Sequence, residues 1–283
     1  MLPILKCYRP VQPPVLQREL AESGFRYREY LPDKRLEPYV ACYWTLDFQA
    51  ADTAGRLNRV IPDGCADIIV DLRAHSFAGA AFVTGLTTAF EAMAMPDRQS
   101  LFGIRFFSES ARHFLKVPVS SIIGYHVYLE EIWGTEGLQL ASEIMSAKEV
   151  SGMIGKAETR LISRLRLDEP DAGGLLETSM QYLYAFGGLI SVRSLAEKLT
   201  YSERNLRRVF QRELGVSPKE LAGIIRFQNL LQEIKAGAPA SFPDAAVKYG
   251  YYDQSHLIHS FKRYYGLSPS QVFNTNRNGE NEI

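Results

Sequence analysis

From Tyr39 onward the chain breaks into short apolar runs separated by turn formers: YVACYWTLDF (39–48), ADIIVDL (66–72), AFVTGL (81–86) and LFGIRFF (101–107). Aromatic and β-branched residues dominate these runs, which predicts strands of a β-rich domain. Residues 1–35 are instead polar and punctuated by Pro3, Pro10, Pro13, Pro14 and Pro32, an extended lead-in with one short helical candidate around Val15 to Ser23. After the last strand, Ser108-Glu109-Ser110 offers N-cap chemistry for a short helix to Lys116, and Pro118 stops it. Residues 119–136 follow neither period. From Leu138 the period turns helical. Val150, Met153, Ile154, Ala157, Leu161 and Leu165 fall at steps of three and four, one stripe of a helix that ends before Pro170. Packing on its own sheet is the simpler use of that stripe; a dimer seam is the alternative. The run DEPDAGG (168–174) is charged, broken by Pro and rich in Gly, and it carries the strongest linker signal in the chain.

Beyond it the pattern repeats. LAEKLTYSERNLRRVFQRELGVSP (195–218) and AAVKYGYYDQSHLIHSFKRYYGLSP (245–269) align at an offset of 51: Leu206 with Leu257, Phe210 with Phe261, Arg212 with Arg263, Gly215 with Gly266, and Ser217-Pro218 with Ser268-Pro269. Each copy has a helix with a small residue (Ala196, Ala246), a turn, a capping residue (Ser202, Asp253), a second helix with apolar residues four apart, and a glycine stop. That is a helix-turn-helix, twice. In the first copy Leu206, Phe210 and Leu214 form the buried side, which leaves Arg204, Arg207, Arg208 and Gln211 on the exposed one. Between the copies, the eighteen residues Lys219 to Ala236 repeat apolar positions as a helix roughly 27 Å long. Successive major grooves on one face of DNA lie about 34 Å apart, so such a helix could hold two readers in adjacent grooves.

Composition sharpens this division. Lys plus Arg (32) balances Asp plus Glu (32) over 283 residues, but residues 1–174 hold 19 against 22, residues 175–274 hold 12 against 8, and the tail 275–283 holds 1 against 2. The basic excess sits in the repeated unit, where a polyanion would bind. Cys7, Cys42 and Cys65 are too few and too scattered for a disulfide framework or a structural zinc site, so a reducing cytoplasm is expected. No signal-like segment and no apolar stretch of about 18 residues is present, which argues against export and membrane insertion.

Residues 176–273 resemble the AraC/XylS transcription regulators, and the resemblance is carried above all by A-x-x-x-G-Y-Y-D-Q-S-H-L-x-x-x-F-K-R-Y-Y-G-L-S-P (246–269). It implies a seven-helix, all-α DNA-binding domain with helices three and six in the major groove of double-stranded DNA. By position, Arg204, Arg207 and Arg208 would contact DNA from the first reader, with Gln211 beside them, and Gln254, Ser255, His256 and His259 from the second. Lys262 and Arg263 are expected to meet phosphates, and Arg226 is expected to be structural or phosphate-facing. His259 stands where the family often has Arg; neutral His offers one donor at a time while Arg pairs bidentately with guanine, so the first reader is expected to dominate discrimination. RNA polymerase and a second copy of the chain, joined through the N-terminal domain or the helix at 149–166, are further candidate partners.

The N-terminal half is less legible. Leu36 to Phe48, RVIPDGCADIIV (59–70) and GIRFFSESARHFL (103–115) resemble an uncharacterised domain that recurs in front of AraC-type units, which implies a sensor or oligomerisation role without naming a ligand. A jelly-roll or cupin-like fold is preferred for it. Pro62-Asp63-Gly64 is expected to be a tight turn rather than a catalytic or metal site. Tyr39, Tyr43, Trp44, Phe82, Phe102, Phe106 and Trp133 are expected in a core more than in a pocket. If a pocket for a small-molecule effector exists, Arg105 and Asp67 are its strand-borne charges, because a buried charge needs a partner or a ligand. The whole is thus expected to be α+β and multidomain: a β-rich sensor with flanking helices over 1–170, a linker at 171–176, the double helix-turn-helix unit over 177–274, and a polar tail at 275–283. An enzyme is the disfavoured alternative. Neither G-x-S-x-G, nor a P-loop, nor G-x-G-x-x-G, nor H-E-x-x-H is present, and neither a metal nor a cofactor is expected.

Overall fold

The computed structural model describes residues 8–12, 25–49, 57–94, 97–165, 174–236 and 241–272. The helical candidate near Val15 to Ser23, most of the 168–174 linker signal and the polar tail lie outside these residues. In chain order the strands are β1 (Arg26–Tyr30), β2 (Val40–Gln49), β3 (Leu57–Val60), β4 (Cys65–Asp71), β5 (Ala81–Thr84), β6 (Glu91–Ala94), β7 (Arg98–Phe107) and β8 (His126–Tyr128). Six pair antiparallel in the order β1-β2-β7-β4-β5-β8, and β3 and β6 form a separate two-stranded ribbon.

Alternation along the central strands assigns two faces. Tyr43, Ile68, Val70, Phe102, Ile104 and Phe106 enter the main core, where Phe114, Trp133, Leu140 and Ile144 cover them. On the opposite face Cys42, Trp44, Leu46 and Phe48 gather with Phe25 in a second apolar cluster. This two-sided burial explains why the β2 and β7 runs read as almost continuously apolar.

Helices α1 (Ser108–Leu115), α2 (Leu129–Trp133), α3 (Thr135–Met145) and α4 (Val150–Leu165) complete the N-terminal half, with a short 3₁₀ turn at Val119–Ile122. The expected cap of α1 is corrected: its N-cap is Phe107, with no side-chain bond. The chain passes from β7 into α1 inside the core, so Ser108, Glu109 and Ser110 are buried, and Glu109 accepts from the Tyr184 hydroxyl while Ser110 donates to the Pro38 carbonyl. The α4 stripe turns Ala157 and Leu161 inward, into the core that the sheet also lines, and the helix packs on α1 and α3.

Six helices follow: α5 (Gly174–Ala185), α6 (Val192–Leu199), α7 (Glu203–Leu214), α8 (Pro218–Lys235), α9 (Phe242–Lys248) and α10 (Gln254–Tyr265); residues 269–272 open a seventh. α5 takes in residues 174–176, which the sequence had given to the linker. One buried cluster runs from Tyr8 and Val11 through the sheet and on to Phe261 and Tyr265, so the apolar core is continuous from the β-rich half into the helical one.

Candidate nucleic-acid interface and cavity

Short helices are marginal by themselves, and here five in succession start on a side-chain cap. Ser191, Ser202, Ser217, Ser241 and Asp253 accept backbone N–H bonds at the starts of α6 to α10. Gly215 (φ 68°) and Gly266 (φ 83°) end α7 and α10 in the left-handed region. Leu206, Phe210 and Leu214 of α7, and Leu257 and Phe261 of α10, are buried.

The opposite sides are open. Arg204, Arg207, Arg208 and Gln211 are all exposed on α7. Arg207 pairs with Glu203 at 2.7 Å, Arg208 donates to Asn205 at 2.9 Å, and Gln211 donates to the Gly215 carbonyl at 3.2 Å. Gln254, Ser255, His256, His259, Lys262 and Arg263 are exposed on α10. Two depart from the simple reading. His256 accepts from the Tyr252 N–H at 3.2 Å and meets the Tyr251 ring edge-on, so it also shapes its own turn. Arg263 is drawn back to Glu220 on α8 and lies over the Tyr264 ring, so Lys262 is the better placed of the two for a phosphate. Arg226 donates to the Gly250 carbonyl at 2.9 Å and lies over Tyr251, which ties α8 to the turn of the second unit.

Both readers rest on the N-terminal half at their C-terminal caps. At the first, Ser120 Oγ donates to the Arg212 carbonyl at 2.5 Å, Arg112 pairs with Glu213 at 2.5 Å, and a Cβ on Gly215 would stand 2.5 Å from Ile123 Cδ1. At the second, the Phe90 N–H donates to the Arg263 carbonyl at 3.3 Å, and a Cβ on Gly266 would stand 2.6 Å from the Phe90 ring. Between them, fully buried Gln228 of α8 accepts from the Val11 N–H and donates to the Pro62 carbonyl, each at 2.7 Å. Tyr8 stacks on Tyr184 at 4.6 Å and donates to the Asp63 carbonyl at 2.7 Å.

A cavity of about 290 Å³ lies between the second face of the sheet and the β3/β6 ribbon. Trp44, Ile69, Phe82 and Leu101 line it, together with Arg105, Asp63 and Asp67. Trp44 lies flat across the sheet because its partner across the strands is Gly103, where a Cβ would fall 1.9 Å from the indole. Arg105, buried, meets Asp63 and Asp67 at 3.2 Å and Glu29 at 3.5 Å. Trp44 Nε1 donates to Asp67 at 3.2 Å. Burial pushes the Asp67 carboxyl up to about 6, against the pull of Arg105. Burial likewise pushes the Cys42 thiol up to about 12 and raises that of Cys65, so both remain thiols rather than nucleophilic thiolates.

The sequence offered Arg105 and Asp67 as the strand-borne charges of a pocket, and the structure pairs them across β4 and β7. It missed Asp63. Pro62-Asp63-Gly64 is the expected turn, with Gly64 at φ 70°, yet its carboxylate also caps Cys65 N–H at 2.9 Å and reaches Arg105. Of the seven aromatics, Tyr43, Phe102, Phe106 and Trp133 are core, Tyr39 packs half-buried against that core, and Trp44 and Phe82 face the cavity. Among the described residues there is no group of three or more His, Cys, Asp or Glu placed to hold a metal ion.

Residues 195–275 match a family model described as a helix-turn-helix domain, and residues 28–128 match a domain of unknown function (DUF6597). The chain is similar to a probable thc operon regulatory protein of Rhodococcus erythropolis, 27% identical over 139 residues that make up 48% of this chain and 42% of that protein. It is also similar to the multiple antibiotic resistance protein MarA of Escherichia coli, 28% identical over 95 residues, 33% of this chain and 73% of that one. ToxT from Vibrio cholerae aligns over 88% of this chain and 98% of its own at 16% identity, with a TM-score of 0.39. This chain spans less than half the length of the Rhodococcus relative. The duplicated unit is thus matched as a helix-turn-helix domain, in keeping with its resemblance to the AraC/XylS regulators, and the segment in front of it matches a separate domain model.

Proposed function

We propose that the chain is a sequence-specific, DNA-binding transcription regulator of the cytoplasm, with no chemistry of its own, in which a small molecule in the N-terminal cavity controls how two readers are presented. The duplicated, fully capped helix-turn-helix with polar and basic residues on both open faces carries this reading. On it, Arg204, Arg207, Arg208 and Gln211 of α7 and Gln254, Ser255, His256 and His259 of α10 enter successive major grooves, and Lys262 meets a phosphate. Residues 1–170 act as sensor and 177–274 as reader, with RNA polymerase or a second copy of the chain as protein partners.

Control by the cavity follows from chain continuity. Gly85 and Thr87 line the cavity, and three residues on Phe90 seats the cap of α10. Gly124, Tyr125 and His126 line it as well, and one residue earlier Ile123 seats the cap of α7. A ligand that moves either wall therefore moves a reader's support, which is the differential contact a population shift requires. The test is selection of DNA sites from a random pool by the full chain, with and without effector candidates. Two short sequence blocks about 10 bp apart, centre to centre, support the reading. Equal retention of all sequences, or no retention at low salt, removes it.

A further inference from the structure

We propose that the N-terminal cavity binds an organic cation, an amine or amidinium head on a flat apolar body, through the spare acceptors of Asp63 and Asp67. This rests on the reading of the cavity as the ligand site and adds the chemistry of the ligand.

The charges on the cavity floor do not balance. Among the lining residues there, one guanidinium, Arg105, faces two carboxylates, those of Asp63 and Asp67, each at 3.2 Å, while Glu29, exposed on β1 and outside the lining, meets the same guanidinium at 3.5 Å. At the rim Arg59 and Glu91 also line the cavity and offset one another. The interior is therefore short of positive charge, and the raised Asp67 carboxyl is the expected consequence of holding that excess away from water.

Hydrogen-bond capacity points the same way. Arg105 directs Nε and Nη2 at Asp67 and Nη1 at the Tyr27 hydroxyl, 3.2 Å in each case, and Trp44 Nε1 is committed to Asp67. Those donors are engaged. A carboxylate offers about four acceptor positions. Asp63 uses three, on Cys65 N, Gln12 Nε2 and Arg105, and Asp67 uses three, two on Arg105 and one on Trp44. The floor thus retains carboxylate acceptors, and with two carboxylates to one guanidinium its complement is a cationic donor. An anionic ligand would bring more negative charge against the same carboxylates. Around the floor stand Trp44, Tyr27, Phe82 and Tyr125, rings whose faces attract a cation and whose bodies pack a flat apolar one. At about 290 Å³ the cavity is at the small end of ligand sites, roughly 300–1,000 Å³.

The experiment measures binding of three indoles of similar shape to the full chain by calorimetry and thermal shift at neutral pH: tryptamine (cation), indole-3-acetate (anion) and 3-ethylindole (neutral), with phenethylamine and benzamidine as further cations. Saturable binding and a raised melting temperature for at least one cation, with none for the anion, is the expected result. Asp67→Asn should weaken that binding about tenfold, the loss of one charge-assisted bond. Because Asp67→Asn also loosens Arg105, Tyr125→Leu serves as the second variant: it removes an exposed ring that lines the cavity without touching Arg105, and it should weaken the cation without changing the melting temperature of the free protein. Binding of the anion or the neutral indole as tight as that of the cations, unchanged cation binding in both variants, or no binding by any of the three cations overturns the proposal. DNA selection is scored separately. Cation binding that leaves DNA binding untouched removes the regulatory reading and leaves this one standing, whereas intact DNA selection with no cation binding removes this one alone.

Discussion

The two helix-turn-helix units share a plan and differ in what they present. α7 and α10 are each twelve residues long, start on a side-chain cap and stop at a left-handed glycine, yet α7 shows three arginines where α10 shows Gln254, Ser255, His256 and His259. Their supports differ too. The cap of α7 rests on the flexible end of Ile123 and on Ser120, while the cap of α10 rests on the flat ring of Phe90. Duplication thus conserved the residues that make the helix and its ends while leaving the open face free to diverge. Arginine pairs bidentately with guanine and neutral histidine does not, so on the proposed function the first unit would carry more of the base discrimination.

The largest effect that would sharpen this contrast is at the supports. Any side chain at Gly215 or Gly266 costs about 1–2 kcal/mol for the left-handed backbone alone. Gly266→Ala must also displace Phe90, three of whose ring atoms lie within 2.8 Å of the new Cβ, whereas Gly215→Ala must turn the flexible Ile123 Cδ1 aside and press on Ser120 at the milder distance of 3.2 Å. Denaturant unfolding should therefore show a greater loss for Gly266→Ala; equal losses would mean the two supports are equivalent. Next, Arg207→Ala or Arg208→Ala should cost about 1–3 kcal/mol on a specific site and little on random DNA, as read by anisotropy titration. His259→Ala should cost less on both counts, and a reversal of that order would break the comparison.

Smaller differences separate the caps. Asp253 caps α10 at 2.7 Å with a charged acceptor, and Ser202 caps α7 at 3.2 Å with a neutral one. Removing either by Ala costs about 1 kcal/mol, with Asp253→Ala the costlier because the carboxylate also favours the helix N-terminus. Smallest is Lys262→Ala, which should weaken specific and random DNA alike and flatten the slope of log affinity against log salt by about one. A sequence-dependent loss there would make Lys262 a base reader.

How much of this was legible depends on where each signal resides. Ser202, Gly215, Asp253 and Gly266 act within one turn of the chain, so the helical unit could be read from sequence and its duplication found by inspection. β1 (RYREY) was missed because it is an edge strand with three of its five residues exposed, and β3 and β6 because Leu57 and Met93 face water, so neither shows a buried alternation. Asp63 was missed for another reason. Its local role as a turn residue is real, but its partner Arg105 lies on another strand, and no local period records that meeting. Gln228 did leave a signal: it follows Ile224 by four on the buried stripe of α8, and a polar residue there implies a tertiary partner, which proves to be the lead-in at Val11 and the turn at Pro62.

The central claim is that two unlike readers address two separate stretches of DNA, and a site selection with single-reader variants tests it most directly. Full-length protein, an Arg207→Ala/Arg208→Ala variant and a Gln254→Ala/His259→Ala variant would each be selected against the same random pool. The account predicts two blocks about 10 bp apart in the wild-type motif, loss of information in one block for the first variant and in the other for the second, with the larger loss for the arginines. Loss in the same block for both variants, or a single undivided motif, would contradict it.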